Sequence, residues 1–310
     1  MVGDQSYRLQ PQTVIQQSLV RAYKSALDLA GYPASLIEWG DRHRDSNLPT
    51  PTPDFNVCLN SVVRWHLWKG ARRSLWPRKP PGSLLGWKER GGYYTSIEIQ
   101  RNELLEFCRS ETIDNWTCDI QDVVGLAASK SNLTQFVDLD TLVETNSREM
   151  IDAITPEKLQ ENLAHSEIRV LQPGSNSDHF VHHRWDGRIF LVNCGGSHHF
   201  AAARYIANRL SIPVPLKGRL IAHAINPAAV ASLNLDFIML VSPGEELHTL
   251  LQILHRYRAT YFRHPLPQPL DNLDVLFFPR NEKRSTRASA VLRNAGLVDL
   301  GQHLLSLLAK

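Results

Sequence analysis

The sequence predicts an α/β or α+β protein, and three observations carry that expectation. From about residue 137 onward, short alternating or β-branched runs take turns with stretches of helical periodicity. Asp186-Gly187 stands between two strand-like runs, HFVHHRW and RIFLVN, and Asp-Gly in that setting is a hairpin signal. Directly after Asn193, the run Cys194-Gly195-Gly196-Ser197 ends a strand pattern and the helical stretch HHFAAARYIANRL begins. With 310 residues, 43% hydrophobic and 21% charged, the chain can bury a core without staples and has room for one to three domains.

In chain order, residues 11–31 are expected to form an amphipathic helix, with Val14, Leu19, Ala22, Ala26 and Leu29 on one stripe and Gly31 at its end. Residues 41–56 are polar and Pro-rich, as an exposed linker or loop is. Residues 64–90 read mostly as loop, because Pro77, Pro80, Pro81, Gly82 and Gly86 interrupt them. Residues 97–127 are mixed, with an acidic run near 111–122. VDLDTLV (137–143) alternates apolar and polar, as a half-buried strand does. Thr155-Pro156-Glu157-Lys158 opens a helix to about His165, with Thr at the N-cap and Pro in the first turn. Residues 168–171 are expected as a short strand, and 218–225 as a further one after the hairpin and the Gly turn. Strands are expected at 235–241 and 275–278, and helices at 245–257 and 297–308, with a basic stretch at 280–288. The expected division is an N-terminal helical and basic, Trp-rich extension (1–134), a core (135–225) and a C-terminal α/β extension (226–310).

Net charge is only +3, so the distribution of charge is more informative than its total. The cysteines at 58, 108, 118 and 194 form no CxxC pair, which offers neither a cysteine zinc site nor a secreted disulfide framework. The opening MVGDQSYRLQPQTV has no apolar h-region, and no apolar run approaches a membrane span. The expectation is a cytoplasmic chain with no membrane partner.

The unit that carries chemistry is strand–Gly-Gly-Ser-His-His–helix at 188–210. Glycines at a strand-to-helix turn let backbone approach an anion, and the helix N-terminus presents unpaired N–H groups and a positive dipole end. Such a turn is also a common structural connection. GGSHHFAAA (195–203) resembles the sulfiredoxin signature Gly-Gly-Cys-His-Arg-Tyr-Ala-Ala and the Gly-x-x-Arg-x-x-Ala-Ala box of ParB-type proteins, which share that fold. The order of elements over roughly 135–225 is similar as well: VDLDTLV as opening strand, the 155–165 helix ending HSEI, the Asp186-Gly187 hairpin running into the Gly box, and a closing strand within 214–225. The resemblance implies a ParB/sulfiredoxin-like core with a mixed sheet, in which Gly195, Gly196, Ser197, His198 and His199 line a site for nucleotide phosphates, a nucleoside triphosphate being the implied ligand. Ser197 stands where sulfiredoxin has its catalytic cysteine, and a hydroxyl cannot form the thiosulfinate that reductase chemistry needs. His199 stands where the family has arginine, and imidazole lacks the bidentate fork of guanidinium.

Five of the thirteen histidines fall at 179, 182, 183, 198 and 199. On a strand, His179 and His183 share a face and His182 takes the other. Two functional readings follow: a divalent metal, such as magnesium, near the phosphate with His179 and His183 as ligands, or general acid–base work in phosphodiester cleavage by His183, His198 and His199. The bland alternative is a set of surface and half-buried edge-strand histidines.

Residues 64–90 hold Arg64, Lys69, Arg72, Arg73, Arg78, Lys79, Lys88 and Arg90 against one acid, Glu89, and four of the seven tryptophans, Trp65, Trp68, Trp76 and Trp87. Clustered cations with aromatic faces suit a nucleic acid, DNA in particular and single strands above all. The candidate contacts are Arg64, Trp65, Trp68, Lys69, Arg72, Arg73, Arg78 and Lys79. Tryptophans anchored in the core, or an acidic protein partner, would account for the same residues. The leading expectation is a ParB-like nucleotide-binding protein acting on nucleic acid, as an NTP-dependent DNA-binding factor or a nuclease, in settings such as partition or plasmid and phage defence. A non-catalytic protein-binding adaptor and a small-molecule phosphotransferase are the alternatives.

Overall fold

In the computed structural model, the alternating pattern resolves into two five-stranded sheets with helices packed against them. The structure describes residues 11–44, 46–70, 80–171 and 177–309. In chain order the elements are α1 (Pro11–Leu29), α2 (Ala34–His43), β1 (Ser83–Arg90), β2 (Tyr93–Gln100), α3 (Asn102–Leu105), β3 (Cys108–Asp119), β4 (Val123–Leu126), α4 (Leu139–Asn146), α5 (Pro156–Leu163), β5 (His179–His183), β6 (Ile189–Val192), α6 (Ser197–Leu210), β7 (Pro215–Ile225), α7 (Pro227–Asp236), β8 (Phe237–Val241), α8 (Leu247–Tyr257), β9 (Tyr261–Pro265), β10 (Asp274–Pro279), α9 (Lys283–Asn294) and α10 (Leu300–Leu308). The class is α+β.

One sheet runs β2-β1-β9-β10-β8 and is antiparallel throughout. The other runs β3-β7-β5-β6-β4 and is mixed, with β5 parallel to β7 and β4 parallel to β6. Strand alternation sends Phe237, Met239, Val241, Val275 and Phe277 into one core with Trp65, Trp68, Trp185 and Phe190. The intervening Ile238, Leu240, Leu276 and Phe278 join Leu36, Trp39, Leu254 and Leu292 of α2, α8 and α9. Covered on both faces, β8 and β10 are continuous apolar runs. In the mixed sheet, Phe180, Leu191 and Leu220 pack on Phe200, Ala203 and Ile206 of α6 with Leu142 of α4 and Leu159 of α5. The sheets draw strands from both sides of residues 134 and 225: β1 and β2 join β8–β10, while β3 and β4 join β5–β7. No helix among the described residues is long and apolar enough to cross a membrane.

The hairpin, the Gly turn with its helix, the Thr155 cap and the strands at 218–225, 235–241 and 275–278 lie where the sequence places them. Four expectations change. VDLDTLV is not a strand: Asp138 accepts the Thr141 amide at 2.6 Å as N-cap of α4, and Leu139, Leu142 and Val143 then fall on one buried helical face. Residues 168–171 are a 3-10 turn ending at Leu171. Much of 64–90 is ordered structure, a 3-10 helix (Trp65–Gly70) followed by β1. The α1 stripe faces outward, with Leu19, Ala22, Ala26 and Leu29 exposed and Asp28 buried. The basic 280–288 stretch turns partly inward: Arg284 donates to the carbonyls of Leu29 and Tyr257 and Arg287 to that of Gly31, which places cations at the C-terminal ends of α1 and α8.

One ion cluster ties α3 to α7 and makes the fold acid-sensitive. Arg101 bonds Glu103 at 2.7 Å and Asp236 at 2.6 Å, and Ser232 donates to Glu103 at 2.7 Å. Burial opposes ionisation of Glu103, but the Arg101 and Ser232 bonds outweigh it and bring its pKa down from 4.5 to about 2. A carboxylate depressed in the folded state contributes its stability above the unfolded value and loses it as pH falls toward the folded one. Urea midpoints should therefore fall between pH 4.5 and about 2, and Glu103→Gln should flatten that part of the curve while lowering the midpoint at pH 7.

Candidate functional site

The turn into α6 is held from both sides. The Asn193 amide donates to the carbonyls of Ala128 at 3.0 Å and Gly195 at 2.9 Å, and its oxygen accepts the Ala128 amide. Asp178 accepts the Cys194 amide at 3.2 Å. Gly196 sits at φ +67, and a Cβ there would lie 2.8 Å from the backbone carbon and oxygen of Glu167, so both the conformation and the close approach require glycine. The Gly196 N–H donates to the Glu167 carboxylate at 3.0 Å. The Phe200 amide closes the first helical turn on the Gly196 carbonyl. The amides of Ser197, His198 and His199 are the orphan donors of the helix start, with no partner among the described residues.

These groups border a pocket of about 560 Å³, lined also by Ser129, Lys130, Ser147, Glu149, His165 and Glu167. The Ser197 hydroxyl donates to that of Ser129 at 2.9 Å. His198 is engaged through both ring nitrogens, Nε2 with Ser131 at 3.0 Å and Nδ1 with Ser147, and Asn146 donates to the same Ser131 hydroxyl at 2.8 Å. Bonded at both nitrogens, the His198 ring is held against the pocket wall by Ser131 and Ser147. His199 differs. Asn162 spends its NH₂ on the carbonyls of Met150 and Lys158, so its oxygen accepts from His199 Nδ1 at 3.0 Å. That fixes the proton on Nδ1 and leaves Nε2 as a basic nitrogen without a partner among the described residues. His165 stacks on His199 with centroids 3.7 Å apart. Burial above all, then the His165 neighbour, holds His199 below the usual histidine range, and burial does the same for His198. Both shifts favour the uncharged rings, and Lys130 brings a positive side chain to the pocket lining.

The other predicted residues do not join this pocket. Strand register pairs His179 with Val192, next to the Gly turn, and His182 with Ile189 at the far end of the hairpin. His183 therefore lies at the end of the hairpin remote from Gly196, against His66 and His223. Four residues apart on one strand, His179 and His183 are about 13 Å apart and cannot share one ion. Trp65 and Trp68 are 1% and 0% exposed, so their faces are unavailable to bases. Trp68 Nε1 donates to the Pro265 carbonyl at 2.9 Å. Arg64 is half-buried and bonds Gln268 and Asn60, whereas Lys69 is exposed. Arg72, Arg73, Arg78 and Lys79 lie outside the described residues, as does Trp76. Lys130, Glu149 and the serines at 129, 131 and 147 carried no sequence signal. Packing of α4 and the loop after β4 onto α6 brings Lys130, Glu149, Ser129 and Ser147 to the pocket and sets Ser131 against His198 behind its wall.

The fold and pocket define an α+β protein with a glycine-turn pocket at a helix N-terminus in a mixed sheet. Residues 113–310 match the model of a family of unknown function, DUF6685, and the chain belongs to that family. The match spans every residue lining the pocket. No curated protein and no solved structure matches the chain.

Proposed function

We propose that the α6 pocket binds the phosphates of a nucleoside triphosphate with magnesium, and that the protein is a ParB/sulfiredoxin-like factor acting on nucleic acid. The observation that carries the reading is the run of three unpartnered amides, Ser197 to His199, at the wall of a pocket that also holds Lys130. The Gly196 N–H is taken by the Glu167 carboxylate, so the phosphate uses the amides of Ser197 to His199, with magnesium between it and that carboxylate. Magnesium binds through one or two carboxylates together with substrate phosphates, and Glu149 and Glu167 line the pocket for that role. His199, with Nε2 unprotonated, is the general base available if the bound ester is cleaved. The nucleic-acid half rests on the cations Arg64, Lys69, Arg72, Arg73, Arg78 and Lys79, without the two buried indoles. A protein-binding adaptor is favoured by one observation, the outward apolar residues Leu19, Tyr23 and Leu29 of α1.

Thermal melting of the full chain with ATP, CTP and GTP, with and without magnesium, tests the pocket. The expected result is a saturable rise in melting midpoint with at least one triphosphate, larger with magnesium, and reduced in Lys130→Ala. No rise with any triphosphate, or a rise that Lys130→Ala leaves intact, would overturn it. A rise caused by single-stranded DNA and abolished by salt would support the nucleic-acid half.

A further inference from the structure

A second cluster of side chains stands apart from the α6 pocket and does not depend on it. The parallel pairing of β5 with β7 sets His183 directly beside His223, and the antiparallel pairing of β7 with β3 sets Ser110 beside His223 on its other side. Directly paired residues share a sheet face. The 3-10 helix that begins at Trp65 lays His66 over that row, its ring 4.1 Å from His223 and 5.3 Å from His183. We propose that His66, His183 and His223 form a binding site for a transition-metal dication of the zinc class.

One nitrogen of each ring lies within 4.8 Å of the corresponding nitrogens of the other two. His183 is 3% exposed, and its Nδ1 is buried with no hydrogen-bond partner. The Nδ1 of His66 is likewise buried and unpartnered. Buried polar atoms in folded proteins are almost always satisfied, so two orphaned imidazole nitrogens on neighbouring rings point to a missing electrophile. His223 bonds the Ser110 hydroxyl through Nδ1 at 2.8 Å, which holds the ring in place from its outer side as supporting partners of ligating imidazoles do and leaves Nε2 for the ion. The three ligand atoms are all imidazole nitrogen, with no carboxylate. Such a set suits zinc, copper, nickel or iron rather than magnesium or calcium. His66 and His223 are only partly buried, so the ion has a route in. Three protein ligands leave the fourth tetrahedral position for water or another small ligand.

The geometry sets a condition. The His66 and His223 rings lie parallel within 8°, and stacked rings cannot both direct lone pairs at one ion. Binding therefore tilts one ring, and His66, on a short 3-10 helix, is the one with least to hold it. The alternative is that three neutral rings simply stack beside Trp185.

The full-length protein, stripped with a chelator, would be titrated with cobalt(II) followed by visible absorbance and then back-titrated with zinc. The expected result is one equivalent of tetrahedral cobalt, displaced by zinc, with zinc raising the melting midpoint. His66→Ala and His223→Ala, both at partly exposed positions and checked for fold by circular dichroism, should weaken binding more than about 100-fold. Ser110→Ala should weaken it by about 10–100-fold, as lost supporting partners do. His183→Ala removes a buried ring, so His66→Ala decides the matter if that variant does not fold. The absence of tetrahedral cobalt absorption in the wild type, or His66→Ala binding as tightly as wild type, would overturn the proposal and leave the stacked-ring alternative.

Discussion

Trp68→Ala is expected to destabilise the protein by about 3–5 kcal/mol, the range for removing a fully buried large aromatic. The indole is 0% exposed, meets Phe107 edge-on at 4.5 Å and Trp65 at 5.2 Å, and lies between the residues of the two sheets. Its Nε1 donates to the carbonyl of half-buried Pro265 of β9, so the substitution also removes that acceptor's partner. Against a typical total stability of about 5–15 kcal/mol, this single change removes a large share. Trp68→Phe should recover most of the packing and lose only the hydrogen bond. Urea unfolding of the two variants checks this directly. A Trp68→Ala protein that melts like wild type and loses only nucleic-acid affinity would restore the base-stacking role that the buried indole rules out.

Gly196→Ala is expected to cost about 2–5 kcal/mol, and the loss has two sources. A left-handed backbone at a non-glycine residue costs roughly 1–2 kcal/mol. Overpacking adds about 1–3 kcal/mol, because the new Cβ would sit 2.8 Å from the Glu167 backbone, which is not free to yield. Gly195→Ala is the matched control. The atoms nearest its Cβ would be those of the Glu167 side chain, from 3.2 Å, and its φ is not in the left-handed region. That side chain can swing aside, so the control should unfold close to wild type while freeing the Gly196 amide. Equal losses for both variants would mean that the turn is not pressed against the 165–168 segment.

Local chemistry decided what could be read from the sequence. The Asp186-Gly187 hairpin, the Thr155-Pro156 cap and the Gly195-Gly196 turn are legible because a few adjacent residues dictate their backbone conformation. VDLDTLV misleads because its spacing serves two periods, and the Asp138 cap, with its Thr141 partner three residues on, decides for helix. β2 is an edge strand, exposed along much of its length, and so lacks the apolar alternation that marks a half-buried one. The metal-ligand cluster was invisible for a different reason. His66, His183 and His223 meet only because β5 pairs with β7 in parallel across forty residues of sequence, and no local signal encodes that register. The tryptophans of the basic segment show the same limit. Their charge-rich neighbours suggest a surface, yet Trp65 and Trp68 are turned into the core between the sheets.

The most direct measurement on the α6 pocket is an amide titration. Isotope-labelled full-length protein would receive the magnesium complex of the triphosphate that melts it highest, while the backbone resonances of Gly196, Ser197, His198 and His199 are followed. Phosphate seated on the helix start predicts saturable shifts centred on those four amides, with Lys130→Ala weakening the apparent affinity. Unchanged resonances at all four positions, at concentrations where the nucleotide raises the melting midpoint, would contradict a phosphate site there.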